Sequence, residues 1–327
     1  MAILATEKVL TLDYWKPASK LQVGDYVFDR RGSIVQVNLI QEYYSDDCYK
    51  VLFNDYLSVA GDANLGFALE TAKYRQRLVD YKGKLKFRRP LKQMQVKELL
   101  DAPLKRTNRQ LAFSVPTTDP IKLPHQDLPV PPFILGLWFF GRLGNKKFRA
   151  ARNREEQVKR MLKDYGYKAK FGSLLSSKTR DFTLTPTVES QLAPNIPRKI
   201  PNNYLLGSFE QRLELLQGIF CAKPMSYSVK KDTFRFSDKH YGTVVQIQGL
   251  VESLGIRTAI RHKTTYTLFF RTRHRLVDNQ VSPPVKVHHG RRYIKEIVKI
   301  SGQPCVHIKT TAPDNTILVG EGFISTC

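Results

Sequence analysis

An internal repeat in the middle of the chain is the feature that most restricts its fold. An apolar helix is predicted over Pro132–Gly141, followed by a strand, an amphipathic helix that ends at Gly166, and two more strands. The same order recurs further along the chain, where Phe234-Arg235 and Gly255-Ile256-Arg257 parallel Phe148-Arg149 and Gly166-Tyr167-Lys168. Two copies of one helix-and-strand unit predict an α+β domain with pseudo-twofold symmetry.

The segments on both sides of the repeat are predicted to be β-structure. The first 115 or so residues alternate short strand-like runs with turns, among them Tyr26–Phe28 and Ile34–Ile40. Pro116–Pro132 holds six prolines in 17 residues, which favours an extended linker. The last forty residues are strand-like again. We therefore predict one β domain from residues 1–115 and 287–327, a linker at 116–130 and an inserted domain at 131–286.

Local motifs add a resemblance to this layout. The segment Lys16–Phe28, which contains Val23-Gly24-Asp25, resembles the opening of Hint (hedgehog/intein) domains, and Asp314–Ile324 resembles their closing strands. Ile134-Leu135-Gly136-Leu137-Trp138-Phe139-Phe140-Gly141 and Leu216-Gln217-Gly218-Ile219-Phe220-Cys221-Ala222-Lys223 resemble the two LAGLIDADG helices. The chain thus resembles an intein that contains a LAGLIDADG homing endonuclease. The resemblance implies a mixed fold, in which an all-β Hint-like domain is interrupted by an α+β LAGLIDADG-like pseudo-twofold domain.

The same resemblance shows which nuclease residues are missing. Endonucleases of this family place one acidic residue at the end of each helix, where the paired carboxylates hold divalent metal ions. The corresponding positions here are Gly141 and Lys223, and no acidic residue lies between Leu135 and Arg154. The resemblance therefore implies lost DNA cleavage, and we expect no metal and no cofactor.

The residues that the resemblance requires for protein splicing are missing as well. Inteins begin with a Cys or Ser nucleophile, and the aligned position here is Ala2. A Thr-x-x-His segment is expected near residues 60–65, but the first histidine of the chain is His125. A closing His-Asn pair is replaced by Ser325-Thr326-Cys327. Cys327 is either a remaining nucleophile or, as we expect, a surface thiol at a frayed terminus.

The charge of the chain suggests a polyanionic partner. Lys and Arg number 53 against 29 Asp and Glu, which gives a net charge of +24 and a pI near 9.9. An excess of this size points to nucleic acid more than to simple solubility. The segment 131–286 alone carries 28 basic and 11 acidic residues. We expect either double-stranded DNA or structured RNA as the ligand, and no membrane contact.

The candidate nucleic-acid-binding residues fall into two groups. The first consists of basic residues near the predicted helix ends and strands of the repeat, some of which would face one side of a sheet: Arg142, Lys168, Lys170, Arg180, Lys223, Arg257, Arg261, Lys263, Arg271 and Arg273. The second lies in the Lys73–Lys92 segment, where nine basic residues are mixed with aromatic ones: Lys84, Lys86, Arg88 and Arg89. A solvated basic hairpin explains the second group equally well.

Three functions remain open on the sequence. The preferred one is a catalytically inactive intein and endonuclease descendant that binds nucleic acid, alone or as a subunit of a larger nucleoprotein assembly. The second is a decaying or deliberately inactivated self-splicing intein. The third is an active DNA endonuclease with unrecognised catalytic residues. Because no signal-peptide pattern opens the chain and no CxxC spacing occurs, we expect an intracellular, non-secreted protein.

Overall fold

The computed structural model of the chain describes residues 2–72, 91–144, 147–176, 178–186, 188, 199–223, 227–280, 290–320 and 322–327. The chain divides into two compact units. The first, here called the discontinuous unit, comprises Met1–Ile121, Gly255–Ile260 and Lys286–Cys327. The second, here called the repeat unit, comprises Lys122–Leu254 and Arg261–Val285. No helix within the described ranges is long and apolar enough to cross a membrane.

The N-terminal part of the discontinuous unit consists of short strands and one short helix. The strands are β1 (Ala2–Leu4), β2 (Lys8–Thr11), β3 (Tyr14–Pro17), β4 (Tyr26–Phe28), β5 (Ile34–Ser45), β6 (Cys48–Phe53), β7 (Ser58–Asp62), β8 (Gly66–Thr71), β9 (Lys92–Gln95) and β10 (Phe113–Pro116). Helix α1 (Val96–Leu100) follows β9, and its Gln95–Glu98 capping box satisfies amide groups that begin the helix.

The repeat unit contains the same order of elements twice. The first copy is α2 (Pro132–Gly141), β11 (Arg142–Gly144), β12 (Lys147–Ala151), α3 (Glu155–Asp164), β13 (Lys168–Ser176) and β14 (Thr179–Thr185). After the short helix α4 (Asn202–Leu205) come α5 (Phe209–Ala222), β15 (Tyr227–Ser228), β16 (Thr233–Asp238), α6 (Tyr241–Ser253), β17 (Thr258–His262) and β18 (Tyr266–Phe270). Residues 258–260 of β17 belong to the discontinuous unit. The internal repeat predicted from the sequence is confirmed.

The C-terminal part of the chain completes the discontinuous unit with β19 (Arg291–Ile300), β20 (Gln303–Thr310), β21 (Ile317–Val319) and β22 (Ile324–Thr326). The strand order is β22-β21-β2-β4-β5-β20-β1-β7-β6-β19-β10-β8-β9, with β3 against β2. The two ends of the chain therefore share one sheet: Ala2 pairs with His307, and Val9 pairs with Val319. Their inward side chains, including Ile3, Val9, Val306 and Val319, belong to one apolar core.

Helices α2 and α5 pack against each other through two glycines at the centre of the repeat unit. A Cβ atom added at Gly136 would lie 2.9 Å from the amide nitrogen of Ile219, and one added at Gly218 would lie 2.9 Å from the amide nitrogen of Leu137. Real Cβ atoms do not approach backbone this closely, so only glycine permits the contact. Both helices are buried over most of their length.

Each copy of the repeat carries a sheet with one face covered by helices. In the first sheet, β11-β12-β14-β13, the rings of Phe148 and Phe182 are buried on this face. In the second sheet, β15-β16-β18-β17, Phe234 and Phe270 stack there with ring centroids 5.3 Å apart. Because side chains alternate along a strand, their neighbours point to the opposite face, which we call the open face.

Several strand boundaries differ from the sequence prediction. β17 begins at Thr258, so Arg257 precedes it, and β18 ends at Phe270, so Arg271 and Arg273 follow it. Lys263 lies in the turn after β17, where its amide donates to the carbonyl of Thr265 at 3.2 Å. The sequence prediction placed these residues on strands because a basic residue beside an apolar run does not show where the hydrogen bonds between strands end.

The glycine contact between α2 and α5 can be tested by a matched pair of substitutions. Gly218→Ala is expected to lower the free energy of unfolding by about 1–3 kcal/mol, because its Cβ would force the helices apart. Gly249→Ala in α6 is the control, since nothing lies within 4 Å of a Cβ there. The control should leave stability unchanged or raise it by up to about 1 kcal/mol. Equal effects of both changes in urea unfolding would contradict the packing described.

Candidate nucleic-acid interface

The open face of the first sheet carries a row of basic side chains. Lys147 of β12 pairs with Thr183 of β14, which in turn pairs with Lys170 of β13. Adjacent strands lie about 4.8 Å apart, so the Cα atoms of Lys147 and Lys170 are separated by about 10 Å. Arg149 lies two residues after Lys147 in β12, and Lys168 lies two residues before Lys170 in β13, so both lie on the same face as these lysines. All four side chains are exposed.

The open face of the second sheet has a corresponding arrangement. Arg235 of β16 pairs with Phe269 of β18, and the guanidinium of Arg261 in β17 lies over the Phe269 ring, 5.4 Å from its centroid. Arg271 donates from Nε to the hydroxyl of Thr233 at 3.3 Å, which holds it beside β16. We call the exposed residues of both faces the open basic surface: Lys147, Arg149, Lys168, Lys170, Arg235, Arg261 and Arg271.

Sequence reasoning missed three members of this surface, Lys147, Arg149 and Arg235. The signal was present, because Arg149 and Arg235 each follow the phenylalanine that starts the repeated motif. Phe148 and Phe234 are buried. Strand alternation therefore required the following arginine to point to the other face in both copies.

The ends of α2 and α5 carry no carboxylate at the two aligned positions. Gly141 is buried, and a Cβ added to it would lie 3.5 Å from both the amide nitrogen of Arg149 and the Cβ of Ala222. Lys223 follows α5 directly, and its ammonium lies over the rings of Phe236 and Phe140, at 4.4 Å and 5.5 Å from their centroids. A lysine therefore fills the space near these helix ends.

Polar contacts hold the ammonium of Lys223 in place. It donates to the carbonyl of Ser237 at 3.3 Å and lies 3.9 Å from the carboxylate of Asp238. Burial lowers the pKa of Lys223, the Asp238 carboxylate opposes this shift, and the charge of Arg149 adds to it. Within the described part of the chain, no group of three or more His, Cys, Asp or Glu residues could hold a metal ion.

Two residues predicted to bind nucleic acid are instead held in ion pairs elsewhere. Arg180 lies on the helix-covered face, where it contacts Glu155 at 2.7 Å. Arg257 belongs to the discontinuous unit, where it contacts the buried carboxylate of Asp55 at 3.3 Å and Asn54 at 3.2 Å. Because these carboxylates already neutralise them, we leave both residues out of the open basic surface.

The remaining predicted residues have varied positions. Arg142 is exposed, and its guanidinium lies 5.3 Å from the ring centroid of Trp138. Lys263 and Arg273 are exposed in the turns that flank β18. Lys84, Lys86, Arg88 and Arg89, with nearly all of the Lys73–Lys92 segment, lie outside the described residues.

The positions aligned with the splicing residues lie in the discontinuous unit. Ala2 is buried in β1. Cys327 follows β22, and its backbone exchanges two hydrogen bonds with Gly66, at 2.9 Å and 3.1 Å. The expectation of a frayed terminus was therefore wrong, because backbone hydrogen bonds to Gly66 hold the residue that follows β22. Burial raises the pKa of the Cys327 thiol to about 11, which disfavours the thiolate that a nucleophile requires.

No family model matches the chain, and no curated protein does. Among solved structures, the Msm DnaB1 intein splicing domain bound with zinc is similar over 21% of this chain, at 22% identity and a TM-score of 0.20. The chain covers 55% of that protein, about half of its length.

Other solved structures are similar over a larger share of the chain. I-DmoI in complex with DNA and Mn matches 43% of this chain and 89% of its own, at 12% identity and a TM-score of 0.30. The N-terminal LAGLIDADG domain of DUF199/WhiA matches 44% of this chain and 76% of its own, at 12% identity and a TM-score of 0.33. The similar structures are thus inteins and LAGLIDADG proteins, at low TM-scores and over part of the chain.

The raised pKa of Cys327 predicts how its reactivity depends on pH. Alkylation by iodoacetamide requires the thiolate, so the rate at Cys327 should be low at neutral pH and should rise until the pH passes about 11. In the urea-unfolded chain the same thiol should titrate near its ordinary value of about 8.5. Peptide mass spectrometry would follow Cys327 alone. A folded protein whose Cys327 reacts fully at neutral pH would contradict this environment.

Proposed function

We propose that this protein binds double-stranded nucleic acid through the open basic surface and does not cleave it. The observation that carries the proposal is the placement of exposed Lys and Arg side chains on the open faces of both sheets of the repeat unit. Phosphate groups are the ligand that a rigid array of cations of this kind attracts most strongly. The net charge of +24 supports the same class of partner.

The chemistry of the open faces favours a duplex over a single strand. Single-strand binders stack bases on exposed aromatic rings. Here the ring of Phe269 is covered by Arg261, while Phe148, Phe234 and Phe236 are buried on the helix-covered faces. Hydroxyl side chains lie between the cations, such as Ser237 and Thr267, whose oxygens are 2.9 Å apart. Hydroxyls and cations suit phosphate oxygens and groove edges, which a duplex offers in a regular array.

The helix ends support binding without cleavage. Metal-dependent cleavage needs carboxylates that hold the metal ions at the scissile phosphate. Gly141 offers no side chain, and the ammonium of Lys223 repels a divalent cation. We therefore propose an intein and homing-endonuclease descendant in which both activities are lost. A role as a subunit of a larger nucleoprotein assembly is part of this proposal, supported by a positive charge that extends well beyond the open basic surface.

Binding should depend steeply on salt, because phosphate contacts release condensed counterions. With about 6–10 phosphates contacted, affinity for a 30-base-pair duplex, measured by fluorescence anisotropy, should fall by about 10³–10⁵-fold between 50 and 200 mM salt. Replacing Arg149, Arg235 and Arg261 together by Ala should weaken binding. The slope of the logarithm of the affinity against the logarithm of the salt concentration should become less steep, by about one unit for each phosphate that the variant no longer neutralises.

A charge-matched control separates the surface from the net charge. Lys159, Arg160 and Lys163 are exposed on α3, and the ammonium of Lys159 lies over Phe171 on the helix-covered face. Their joint replacement by Ala removes the same formal charge but should leave most of the affinity. Equal decreases in affinity for both triple variants would reject the open basic surface as the binding site. Failure of micromolar protein to bind duplex DNA or duplex RNA at low salt would reject the function.

Removing divalent metal ions should change neither binding nor integrity of the nucleic acid. With Mg²⁺ or with EDTA, the affinity for the duplex is expected to be the same, and supercoiled plasmid should remain uncut, because Lys223 occupies the position of a metal-binding carboxylate. EDTA-sensitive nicking that persists through repurification would contradict this. If that nicking were abolished in Asp181→Asn or Asp238→Asn, it would identify the unrecognised carboxylates of an active endonuclease.

A further inference from the structure

Two buried thiols of the discontinuous unit lie in contact, although 257 positions separate them in the sequence. Cys48 begins β6 and Cys305 lies in β20, and both side chains are 0% exposed. Their Sγ atoms are 3.8 Å apart. Sequence spacing gave no reason to pair them, since they belong to opposite ends of the chain.

Two hairpin turns place these thiols together. Gln303, which starts β20, pairs with Ser45 at the end of β5, and Ile300, which ends β19, pairs with Cys48. The turn between β5 and β6 therefore lies beside the turn between β19 and β20. The Cys48 thiol donates to the carbonyl of Ser45 at 3.3 Å. The two cysteines pack with Leu4, Ala60 and Ile300 in a small apolar cluster beneath these turns.

We propose that Cys48 and Cys305 are an oxidisable dithiol that takes a low-molecular-weight disulfide as its co-reactant and forms an intramolecular disulfide. Cys48 attacks one sulfur of the small disulfide, forming a mixed disulfide and releasing one small thiol. Cys305 then attacks the Cys48 sulfur and releases the second small thiol. Two protein thiols are oxidised, the small disulfide is reduced, and both protons leave on the released thiols. The sulfur atoms must approach by about 1.8 Å to reach bonding distance.

The cross-link would join the two parts of the discontinuous unit covalently. β6 belongs to the N-terminal part and β20 to the C-terminal part, and the whole repeat unit lies between them in the sequence. In the reduced protein, hydrogen bonds, apolar contacts and ion pairs such as Arg292–Asp55 and Lys299–Asp47 join these parts without a covalent cross-link. The disulfide would close a very long loop, and long loops lose the most entropy in the unfolded chain. The unit would then stay in one piece after a cut within the repeat unit.

Burial sets the rate of this reaction. Burial, with a smaller contribution from the neighbouring Cys48 thiol, raises the pKa of the Cys305 thiol to about 12. Thiol–disulfide exchange proceeds through the thiolate, so the reaction should be slow at neutral pH and faster as the pH rises. Access requires opening of the two turns, whose residues Asp46 and Asp47 are exposed. Asp47 is paired with the ammonium of Lys299 at 2.7 Å, so we expect cationic and anionic disulfides to react at similar rates.

The test uses the full-length protein with cystamine as the cationic disulfide and glutathione disulfide as the anionic one. After incubation at pH 8.5, digestion without reductant and mass spectrometry should reveal a Cys48–Cys305 peptide pair that dithiothreitol separates. A cut introduced in the repeat unit should leave the fragments joined on a non-reducing denaturing gel. The Tm should rise by about 5 °C or more on oxidation.

The variants Cys48→Ala and Cys305→Ala are the controls. They show whether a change in Tm comes from the cross-link or from a general effect of the oxidant on the protein. Each variant should show no cross-linked peptide and no gain in Tm on oxidation, whatever its starting stability. Oxidation confined to Cys327, or separate mixed disulfides on Cys48 and Cys305 without a cross-link, would overturn the proposal. So would a cross-link that forms only after the chain is unfolded in urea. These outcomes do not depend on nucleic-acid binding.

Discussion

The close contact between α2 and α5 is the constraint on which the repeat unit depends. Backbone meets backbone at Gly136 and Gly218, so any larger side chain would separate the helices. Helix α2 leads directly into β11, and β15 begins five residues after the end of α5. The helix ends, where Gly141 and Lys223 lie, are therefore fixed together with the strands that carry the basic residues. A surface built in this way is rigid, and rigidity lowers the cost of ordering long Lys and Arg side chains around a ligand.

The charges of the repeat unit divide according to the face on which they lie. On the helix-covered side, several basic residues form ion pairs, as in the pair of Arg180 with Glu155 and the pair of Arg160 with Asp278. On the open side, Arg235 and Arg261 flank an aromatic ring, and Asp181 is the acid that pairs across the strands with Arg149. Lys223 adds a cation near the helix ends, held by aromatic rings and by Asp238. This distribution is the physical basis of the proposed binding.

Local sequence patterns predicted the helices and strands well, but they could not predict contacts between residues that are distant in the sequence. The apolar run predicted α2 from Pro132 to Gly141, as observed, and Gly166 ends α3 with a φ of 75°. Prediction from one strand at a time could not show that Arg257 pairs with Asp55, which lies 202 positions away. Nor could it show that Cys48 meets Cys305, because the contact arises from two neighbouring hairpin turns. Arg149 and Arg235 could have been found, since alternation from a buried phenylalanine fixes their direction.

Lysine footprinting in the presence of a duplex tests whether the open basic surface binds nucleic acid. A small acylating reagent modifies exposed amines, and mass spectrometry gives the rate at each lysine with and without a saturating 30-base-pair duplex. We expect protection of Lys147, Lys168 and Lys170 on the open face, with unchanged rates at Lys159 and Lys163 on α3. Salt that dissociates the complex should abolish the protection. Protection of the α3 lysines with full reactivity of the open-face lysines would contradict the account.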